Sequence, residues 1–440
     1  MVDMRRMYRA MENDIFPATM EITFGDMTIH YQKVLWDIDG KEKGLRYGEN
    51  PGQPSALYRP VDGNLILGGV EFIKPNMGLV CDMELLQSGK HPGKINLTDV
   101  DGALNILKYF PNKPTVVIMK HNNPCGVATR PTLAGAYYEA NMADRVAAFG
   151  GAIALNRPCD KATAELIVKN YSEVVVAPAY QSGALSILRR KKDLRILRIT
   201  NIERLHEWQR AVFPEIKSLC DGGVIVQTSF LPRIRSVDDL KSTGVVPHDI
   251  PERMIKDGKL TETGKSVSMG RRPTGEEYRD MLFGWLVESG ITSNSVIYVK
   301  NEATVGIGTG EQDRVGVAAI ARDKAYTKLK DRICFERYGM AYNILLQENR
   351  KATDEPEKGR TRAMLEIIND EVAQQHGSLK GAVMVSDAFF PFRDGVDVGL
   401  NEGISAVIQP GGSNRDYESV VACNEHDAVM IFTGQRSFKH

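Results

Sequence analysis

Short runs of β-branched and other apolar residues alternate along the chain with stretches of helical periodicity, and this alternation limits the possible folds more than any other feature. Buried strands are predicted at 115–119, 152–155, 174–177, 223–227, 295–299, 382–386, 405–409 and 428–432. Helical spacing is found between them at 133–144, 161–170 and 397–403. Strands that alternate with helices are typical of α/β proteins, so we expect mostly parallel sheets covered by helices.

The length of 440 residues predicts more than one domain. Residues 229–279 have few large apolar side chains and many Pro, Gly, Asp and Lys, which is typical of a connector. We therefore expect an amino-terminal extension at 1–44, a first α/β unit at 45–228, this connector, and a second α/β unit at 280–440.

Composition and charge exclude several classes of protein. Hydrophobic residues make up 42% and charged residues 25%, as in ordinary globular proteins. Lys plus Arg and Asp plus Glu are equal at 56 each, which argues against a broad nucleic-acid-binding surface. No apolar run is long enough to cross a membrane, the first residues lack the apolar region of a signal peptide, and the six cysteines stand singly. We expect a protein of the reducing cytoplasm.

The segment MKHNNPCG (119–126) is the strongest candidate for catalysis. The strand 115–119 leads directly into Lys120 and His121, and we expect the following Asn-Asn-Pro-Cys-Gly to form a turn. An imidazole, with an ordinary pKa near 6.5, can accept a proton at neutral pH, and an ammonium group can stabilise a developing negative charge. The alternative is an exposed Lys-His pair without a role.

The Pro-Cys pair of the same segment also suggests the zinc site of nucleobase deaminases, which use H-x-E followed by P-C-x-x-C. The position of the second cysteine is Ala128, and no H-x-E lies upstream. Too few ligands remain for zinc. We therefore expect no metal site, and we expect Cys125 to be a small buried residue.

Four other segments are candidates for ligand binding, each with a simpler structural interpretation. LRYGENP (45–51) offers Arg46 for a phosphate, although a solvated arginine is more common. VGIGTGEQDR (305–314) is a Gly-rich turn that departs from the dinucleotide fingerprint at Glu311 and needs no ligand to explain it. SDAFFPFRD (386–394) and PGGSNRD (410–416) follow strands, and the phenylalanines can hold a flat heterocycle or pack on the core.

Taken together, eight segments resemble one known family. In order they are LRYGENP, MKHNNPCG, AFGGAIALN, TSNS, GIGTGEQDR, SDAFFPFRD, IQPGGS and RSFKH, and they are similar to the AICAR (aminoimidazole carboxamide ribonucleotide) transformylase part of bifunctional purine biosynthesis proteins. The resemblance covers residues 45–440. It implies two cytidine-deaminase-like α/β units and a homodimer with shared active sites. Residues 1–44 are too few for the inosinate cyclohydrolase domain, so we expect a stand-alone transformylase and a separate cyclohydrolase in the pathway.

The resemblance implies transfer of a formyl group from 10-formyltetrahydrofolate to the 5-amino group of AICAR. That amine is conjugated with the imidazole ring and is a poor nucleophile, so it must lose a proton as it attacks. His121 matches the general base of the family. Lys120 matches the residue that stabilises charge on the formyl oxygen in the transition state.

The remaining matches are nucleotide-site and folate-site positions. The resemblance assigns AICAR binding to Arg46, Tyr47, Gly150, Glu173, Lys192, Asn294, Arg314, Phe389 and Arg436. It assigns folate binding to Val315, Asp394, Ser413 and Asn414. The arginines suit a phosphate, the Asn294 amide suits a carboxamide, and an aspartate suits the donor edge of a pterin.

Three departures from the family pattern bear on affinity and on ions. Gly52 stands where a histidine is usual, and Glu173 stands where an aspartate is usual. FGWLVESGIT (283–292) replaces a lysine-rich stretch, which puts in doubt the potassium ion that some family members hold. Two alternatives therefore stay open: a protein that binds nucleotide and folate without turnover, and a formyltransferase with a changed donor or acceptor.

Overall fold

The computed structural model describes residue 7 and residues 14–64 and 76–440. Twenty strands lie in these residues, labelled in chain order: β1 Thr19–Phe24, β2 Met27–Lys33, β3 Trp36–Ile38, β4 Lys41–Lys43, β5 Tyr58–Gly63, β6 Glu84–Gln87, β7 Thr115–Lys120, β8 Asn123–Thr129, β9 Ala152–Leu155, β10 Val174–Ala177, β11 Arg195–Arg198, β12 Pro214–Ser218, β13 Val224–Thr228, β14 Ile250–Lys256, β15 Lys259–Val267, β16 Val296–Val299, β17 Thr304–Gly308, β18 Val383–Ser386, β19 Ala406–Gln409 and β20 Val429–Phe432.

The α-helices in the same residues are Lys94–Leu107, Leu133–Ala143, Arg145–Ala148, Lys161–Ile167, Ala184–Leu188, Val237–Thr243, Gly275–Glu288, Arg314–Tyr338, Tyr342–Lys351, Glu355–Gln374, Asp394–Leu400 and Asp416–Glu425. Short 3-10 helices span Val80–Asp82, Thr200–Arg210 and His376–Ser378. Several helices begin at a capping side chain, because the first backbone N–H groups of a helix need acceptors. Thr274 and Glu277 form a reciprocal capping box, and the Asp313 carboxylate accepts from the backbone N–H of Gly316. No helix among the residues described has the length and apolar character to cross a membrane.

The chain divides into two compact units. The first comprises Met1–Pro124, Thr129–Tyr138 and Ala147–Leu231, and the second comprises Cys125–Ala128, Glu139–Val146 and Pro232–His440. The predicted domain boundaries stay predictions. Residues 229–279 contain the helix Val237–Thr243 and the hairpin of β14 and β15.

A six-stranded sheet, which lies in the first unit apart from Cys125–Ala128 of β8, has the order β6-β11-β10-β9-β7-β8. Strands β9, β10 and β11 are parallel, whereas β7 runs antiparallel to β9 and β6 runs antiparallel to β11. The side chains of β9 and β10 are buried throughout, as expected for strands at the centre of a layered α/β unit.

The central sheet of the second unit has the order β17-β16-β18-β19-β20. A hairpin, β16 and β17, is followed by an antiparallel neighbour, β18, and then by the parallel strands β19 and β20. The first sheet has the same sequence of pairings with one further edge strand, β6. The two units therefore repeat one topology.

The α/β class is confirmed, but the expectation of mostly parallel sheets is wrong, because each sheet is mixed. Short connections, of two residues between β7 and β8 and of four residues between β16 and β17, make each of these pairs antiparallel, and periodicity alone does not reveal strand direction. The run 223–227 was expected to be a buried strand. It forms most of β13, which pairs with β12 in a two-stranded sheet of the described residues and is exposed along its whole length.

Candidate functional site

A tight hairpin presents Lys120 and His121. Strand β7 ends at Lys120, β8 begins at Asn123, and the two residues between them, His121 and Asn122, have φ of 57° and 59°. Positive φ at both positions is the geometry of a type I′ turn. The turn expected at Asn-Asn-Pro-Cys-Gly is therefore wrong, because Pro124 and Cys125 lie inside β8. Strand β8 is the last of its sheet, where a proline without N–H is tolerated.

The two side chains of this hairpin lie in different surroundings. His121 is exposed. Lys120 is half-buried, and its Nζ donates a hydrogen bond of 2.9 Å to the carbonyl oxygen of Phe149. Cys125 is buried, as the sequence predicted. The imidazole is thus open to a substrate, while the ammonium group is anchored beside it on the same strand end.

A buried carboxylate supports the turn from the preceding helix. Asp99 accepts a hydrogen bond of 2.7 Å from the backbone N–H of Asn122 and another from the backbone N–H of His121. Burial raises the pKa of Asp99, and these hydrogen bonds oppose that rise. Asp99 lies in the helix Lys94–Leu107, outside every segment that the sequence singled out.

Aromatic and basic side chains extend from Lys120. Phe149 is 60% exposed, and its ring centroid lies 5.0 Å from that of Tyr171. The Tyr171 hydroxyl accepts a hydrogen bond of 3.3 Å from Lys90, whose Nζ lies 3.2 Å from Asp193. The hydrogen bond to Tyr171, opposed by desolvation and supported by Asp193, raises the pKa of Lys90. Gly150, which follows Phe149 in the chain, has φ of 80°, a conformation that glycine adopts without strain.

Arg46 is buried, with 7% of its surface exposed, although a solvated arginine is more common in a loop. Its Nη1 donates 2.9 Å to the carbonyl of Lys90, and its Nη2 donates 3.0 Å to the hydroxyl of Tyr47. Its Nε is buried and has no hydrogen-bond partner in the part of the chain that the structure describes. A ligand that brings a hydrogen-bond acceptor to this region could therefore accept from the unused Nε–H of Arg46.

Glu173 joins a second set of polar groups. Its Oε2 accepts hydrogen bonds of 3.0 Å from Asn96 and 3.4 Å from Arg195. Arg195 is 1% exposed and also donates to the carbonyl of His91. Asn96 and Asp99 are three residues apart on one helix, so Glu173 and the His121 turn are held by the same helical face.

Lys192 lies on a separate cavity of the first unit. The cavity has a volume of about 300 Å³, and Lys192 is exposed at its wall. It is lined by Ile167, Asn170, Tyr171, Ser172, Arg190, Lys191, Lys192, Asp193 and Leu194. Three adjacent basic residues with one acidic residue give this wall a net positive charge, which suits an anion. Tyr171 connects it to Lys90 and hence to the residues around Arg46.

In the second unit Arg314 is the centre of a buried network. The Arg314 guanidinium forms an ion pair with Asp387 and donates 3.0 Å to the carbonyl of Ser295 and 3.0 Å to Oδ1 of Asn294. Asp387 is fully buried and accepts a further hydrogen bond of 2.5 Å from the Ser293 hydroxyl. The network fixes the orientation of the Asn294 amide, whose Nδ2 donates to the carbonyl of Gln312.

Glu288 is a second carboxyl group of this network. It ends the helix Gly275–Glu288, is 0% exposed, and accepts a hydrogen bond from the Ser295 hydroxyl. Its Oε2 has no partner among the described residues. Burial, and next the charge of Asp387, raise the pKa of Glu288 well above its usual range. The departure at 283–292 therefore places a buried acid beside Asn294 and Arg314.

The segment 386–394, which holds three phenylalanines, lies against the segment 410–416 in the same unit. Phe389 is 40% exposed, and the Ser413 hydroxyl donates 3.3 Å to the carbonyl of Pro391. Asn414 accepts 2.8 Å from Arg253, and Asp394 is exposed at the start of the helix Asp394–Leu400. The four residues assigned to ligands here thus lie in the two segments 386–394 and 410–416, which the Ser413 hydrogen bond joins. The exposed ring of Phe389 therefore lies in a segment that also carries polar groups.

Two predicted site residues have more isolated positions. Val315 is half-buried in the first turn of the helix Arg314–Tyr338. Arg436 is exposed, and its guanidinium carbon lies 4.2 Å from the ring centroid of Phe438. No hydrogen bond joins the Arg436 side chain to Arg314 or Asn294 among the described residues.

The sequence missed four residues that organise these sites: Asp99, Lys90, Tyr171 and Glu288. Asp99, Lys90 and Tyr171 lie outside every segment that the sequence singled out. Glu288 lies in the segment 283–292, but its residue type did not reveal that it is a buried acid. Clusters of three or more His, Cys, Asp or Glu able to hold a metal ion are absent from the described ranges 14–64 and 76–440.

Comparison with known proteins shows the family of the chain. The sequence model of the AICARFT/IMPCHase bienzyme family matches residues 12–324. The chain belongs to this family. Similar proteins include the bifunctional purine biosynthesis protein PurH of Magnetococcus marinus, 35% identical over 432 residues that make up 98% of this chain and 64% of that relative. PurH of Chlorobaculum parvum is 35% identical over 91% of this chain and 59% of the relative. PurH of Aquifex aeolicus is 34% identical over 93% and 63%.

The chain spans about three fifths of the length of these curated AICARFT/IMPCHase relatives. The name of these relatives describes bifunctional proteins of purine biosynthesis. Lys120 and His121 lie within the matched residues 12–324, whereas Phe389, Asp394, Ser413, Asn414 and Arg436 lie beyond them.

Proposed function

We propose that this chain transfers the formyl group of 10-formyltetrahydrofolate to the 5-amino group of AICAR, giving formyl-AICAR and tetrahydrofolate. The observation that carries the proposal is the hairpin that exposes His121 next to the anchored Lys120. A base and a cation at adjacent positions suit a reaction in which an amine loses a proton while charge grows on an acyl oxygen.

The proposed step assigns one task to each side chain. The amino nitrogen attacks the formyl carbon, and His121 takes the proton that the nitrogen loses. The Lys120 ammonium group stabilises the negative charge on the formyl oxygen. When the bond between the formyl carbon and N10 of the folate breaks, a proton must reach N10, and protonated His121 can return it. Each group would contribute about 10²–10⁴-fold in rate.

We also propose which residues bind AICAR, and the two units are taken in turn. In the first unit, the positive wall at Lys192 and the unused Nε of Arg46 support binding of the phosphate and its sugar. In the second unit, the fixed amide of Asn294 supports recognition of the carboxamide, and the exposed ring of Phe389 supports stacking on the heterocycle.

Two departures from the family pattern bear on these assignments. The Glu173 carboxylate is engaged by Asn96 and Arg195. Gly52 has φ of 91°, a backbone conformation in which a histidine would be strained. The loop of 45–51 is thus followed by a turn that requires glycine here, and we expect an affinity for AICAR that differs from that of relatives with the usual histidine.

The folate site is proposed at the two joined loops of the second unit. Exposed Asp394 supplies acceptors for the donor edge of a pterin, while Ser413 and Asn414 offer further polar groups beside the Phe389 ring. Val315 would contribute apolar contact.

We propose that the residues around Arg314 do not hold the potassium ion of some family members. The oxygens of Asp387 and the carbonyl of Ser295 already accept hydrogen bonds from Arg314, Ser293 or the backbone. The charge of Glu288 can be balanced by a proton, because burial raises its pKa. We propose that formyl transfer here needs neither potassium nor zinc.

We also propose a homodimer with shared active sites. The hairpin of β12 and β13 supports it, since Val224, Ile225 and Val226 are 61%, 51% and 46% exposed, and a two-stranded hairpin is marginally stable alone. Light scattering should give a mass near twice 48.8 kDa. A single-chain mass at micromolar concentration would reject the dimer.

The deciding experiment is a direct assay of the 440-residue protein with AICAR and 10-formyltetrahydrofolate. Release of tetrahydrofolate and formation of formyl-AICAR are followed together, with Lys120→Ala as the control, and inosinate is measured in parallel. Turnover that is lost in the control supports the proposal. Ligand binding without turnover would favour the non-catalytic alternative, and turnover only with another donor or acceptor would favour the changed-substrate alternative. Inosinate above the blank would contradict the expected lack of cyclohydrolase activity.

A further inference from the structure

Two tight turns, one in each unit, have the same support. In the first unit, Asp99 accepts from the turn between β7 and β8, at 2.7 Å from the N–H of Asn122. In the second unit, Asp280 accepts from the turn between β16 and β17, at 2.8 Å from the N–H of Asn301 and 2.7 Å from that of Glu302. Each aspartate comes from the helix that precedes its hairpin, Lys94–Leu107 or Gly275–Glu288.

The support has a physical reason in the backbone of the two turns. Asn301 and Glu302 have φ of 54° and 52°, close to the values of His121 and Asn122. Type I′ turns favour Asn-Gly because both residues need positive φ, and neither turn here contains glycine. A buried carboxylate that accepts the turn N–H groups offsets this conformational cost. Asp99 and Asp280 are 5% and 8% exposed, so both carboxylates depend on these donors.

The two turns differ in what they present. The second turn carries Asn301 at its first position, a residue that tolerates positive φ and performs no proton transfer. The first turn carries His121 at the same position, directly after Lys120. The arrangement in the first unit therefore holds an imidazole in a conformation that a free loop would seldom adopt.

We propose that Asp99 is a positioning residue for formyl transfer, which fixes the turn that presents His121 and stabilises the imidazolium formed when His121 takes the amine proton. This inference rests on the proposed function. The charged groups around the turn are Asp99 from the helix, Lys120 from the strand, and Glu173, whose charge also acts on Asp99. The proton passes from the amine to His121 and on to the leaving nitrogen, and Asp99 stays a carboxylate throughout.

The test compares four variants of the full chain: Asp99→Ala, Asp99→Asn, Asp280→Ala and Asp280→Asn. The Asp280 variants are matched controls, because they release the equivalent turn in the other unit. For each variant kcat, the Michaelis constant for AICAR, the pH profile of kcat and the urea-unfolding midpoint are measured, and kcat is referred to folded protein.

We expect Asp99→Ala to lower kcat by about 10–100-fold with a Michaelis constant for AICAR within about threefold, because the misplaced base acts only in the transition state. Asp99→Asn keeps an acceptor oxygen and should recover much of this loss. It removes the negative charge that favours imidazolium, so the acid limb of its pH profile should move to lower pH. The Asp280 variants should change the unfolding midpoint but leave kcat within about twofold and the pH profile in place.

Several outcomes would overturn the inference. If Asp99→Ala lowers kcat no more than Asp280→Ala, the carboxylate has only a structural role. Asp99→Asn retains an acceptor and should fold. If the acid limb of its pH profile does not move, Asp99 does not stabilise the imidazolium through its charge. If the wild-type protein performs formyl transfer and both Asp99 variants have the same kcat and pH profile, this inference is wrong but the proposed function stands. A folded wild-type protein without formyl transfer defeats the proposed function and this inference with it.

Discussion

Glu288→Gln should change how the stability of the protein depends on pH. Glu288 is fully buried beside the ion pair of Arg314 and Asp387, and burial raises its pKa well above the usual range. In the folded chain the carboxyl group therefore keeps its proton at pH values where an unfolded glutamate, with a pKa of about 4.3, has lost it. The stability that this proton provides is complete below about pH 4 and is lost as the pH rises toward the folded pKa.

The magnitude follows from proton linkage. While the folded carboxyl group holds one proton more than the unfolded one, unfolding becomes easier by about 1.4 kcal/mol per pH unit. Glutamine has no proton to release and keeps the oxygen that accepts from the Ser295 hydroxyl. The variant should therefore gain about 1.4 kcal/mol in free energy of unfolding relative to the wild type for each pH unit over which the folded carboxyl group keeps its proton.

Urea unfolding at pH 5, 6 and 7 measures this difference, with the two proteins compared at each pH. Glu276→Gln is the matched control, since Glu276 is exposed on the same helix, and its curve should run parallel to the wild type. Parallel curves for Glu288→Gln would refute the reasoning, because they would mean that folding does not change the protonation of Glu288.

Three further predictions concern activity. His121→Ala should lower kcat by about 10²–10⁴-fold with a modest effect on AICAR affinity, and near-normal turnover in steady-state assays would remove the assigned base. Arg436→Ala should mainly raise the Michaelis constant for AICAR, and an unchanged value would exclude a phosphate contact at this residue. Replacing potassium by choline should change kcat less than about twofold, because Arg314 and a proton on Glu288 already balance the buried charge; a larger loss would mean that a cation is required.

Much of the fold was predictable from apolar patterns. The strands around 115–119, 152–155 and 382–386 lie where their runs predicted, because a buried strand needs a short continuous apolar segment. Strand direction and strand burial were harder to predict from the sequence. The run at 223–227 has the composition of a buried strand, but it forms an exposed hairpin arm, since composition does not specify which surface covers a strand.

The candidate site was predictable where its residues are adjacent in sequence. Lys120 and His121 stand together at the end of one strand, and their chemistry is recognisable from residue type. Asp99 was not predictable, because it lies on another helix and acts through the backbone of the turn. The turn itself was placed wrongly, since the sequence His-Asn does not indicate the positive φ values that it adopts.

The sequence by itself determined the α/β class, the family, and the Lys120-His121 pair, because these depend on local periodicity and on ordered segments. Only the tertiary structure decided how that pair is held and where the buried charges lie. It brought Asp99 under the turn and repeated this arrangement with Asp280 in the second unit. It also buried Glu288 beside Asp387 and Arg314. The physical reason is that hydrogen bonds and desolvation act between groups near in space, whatever their separation along the chain.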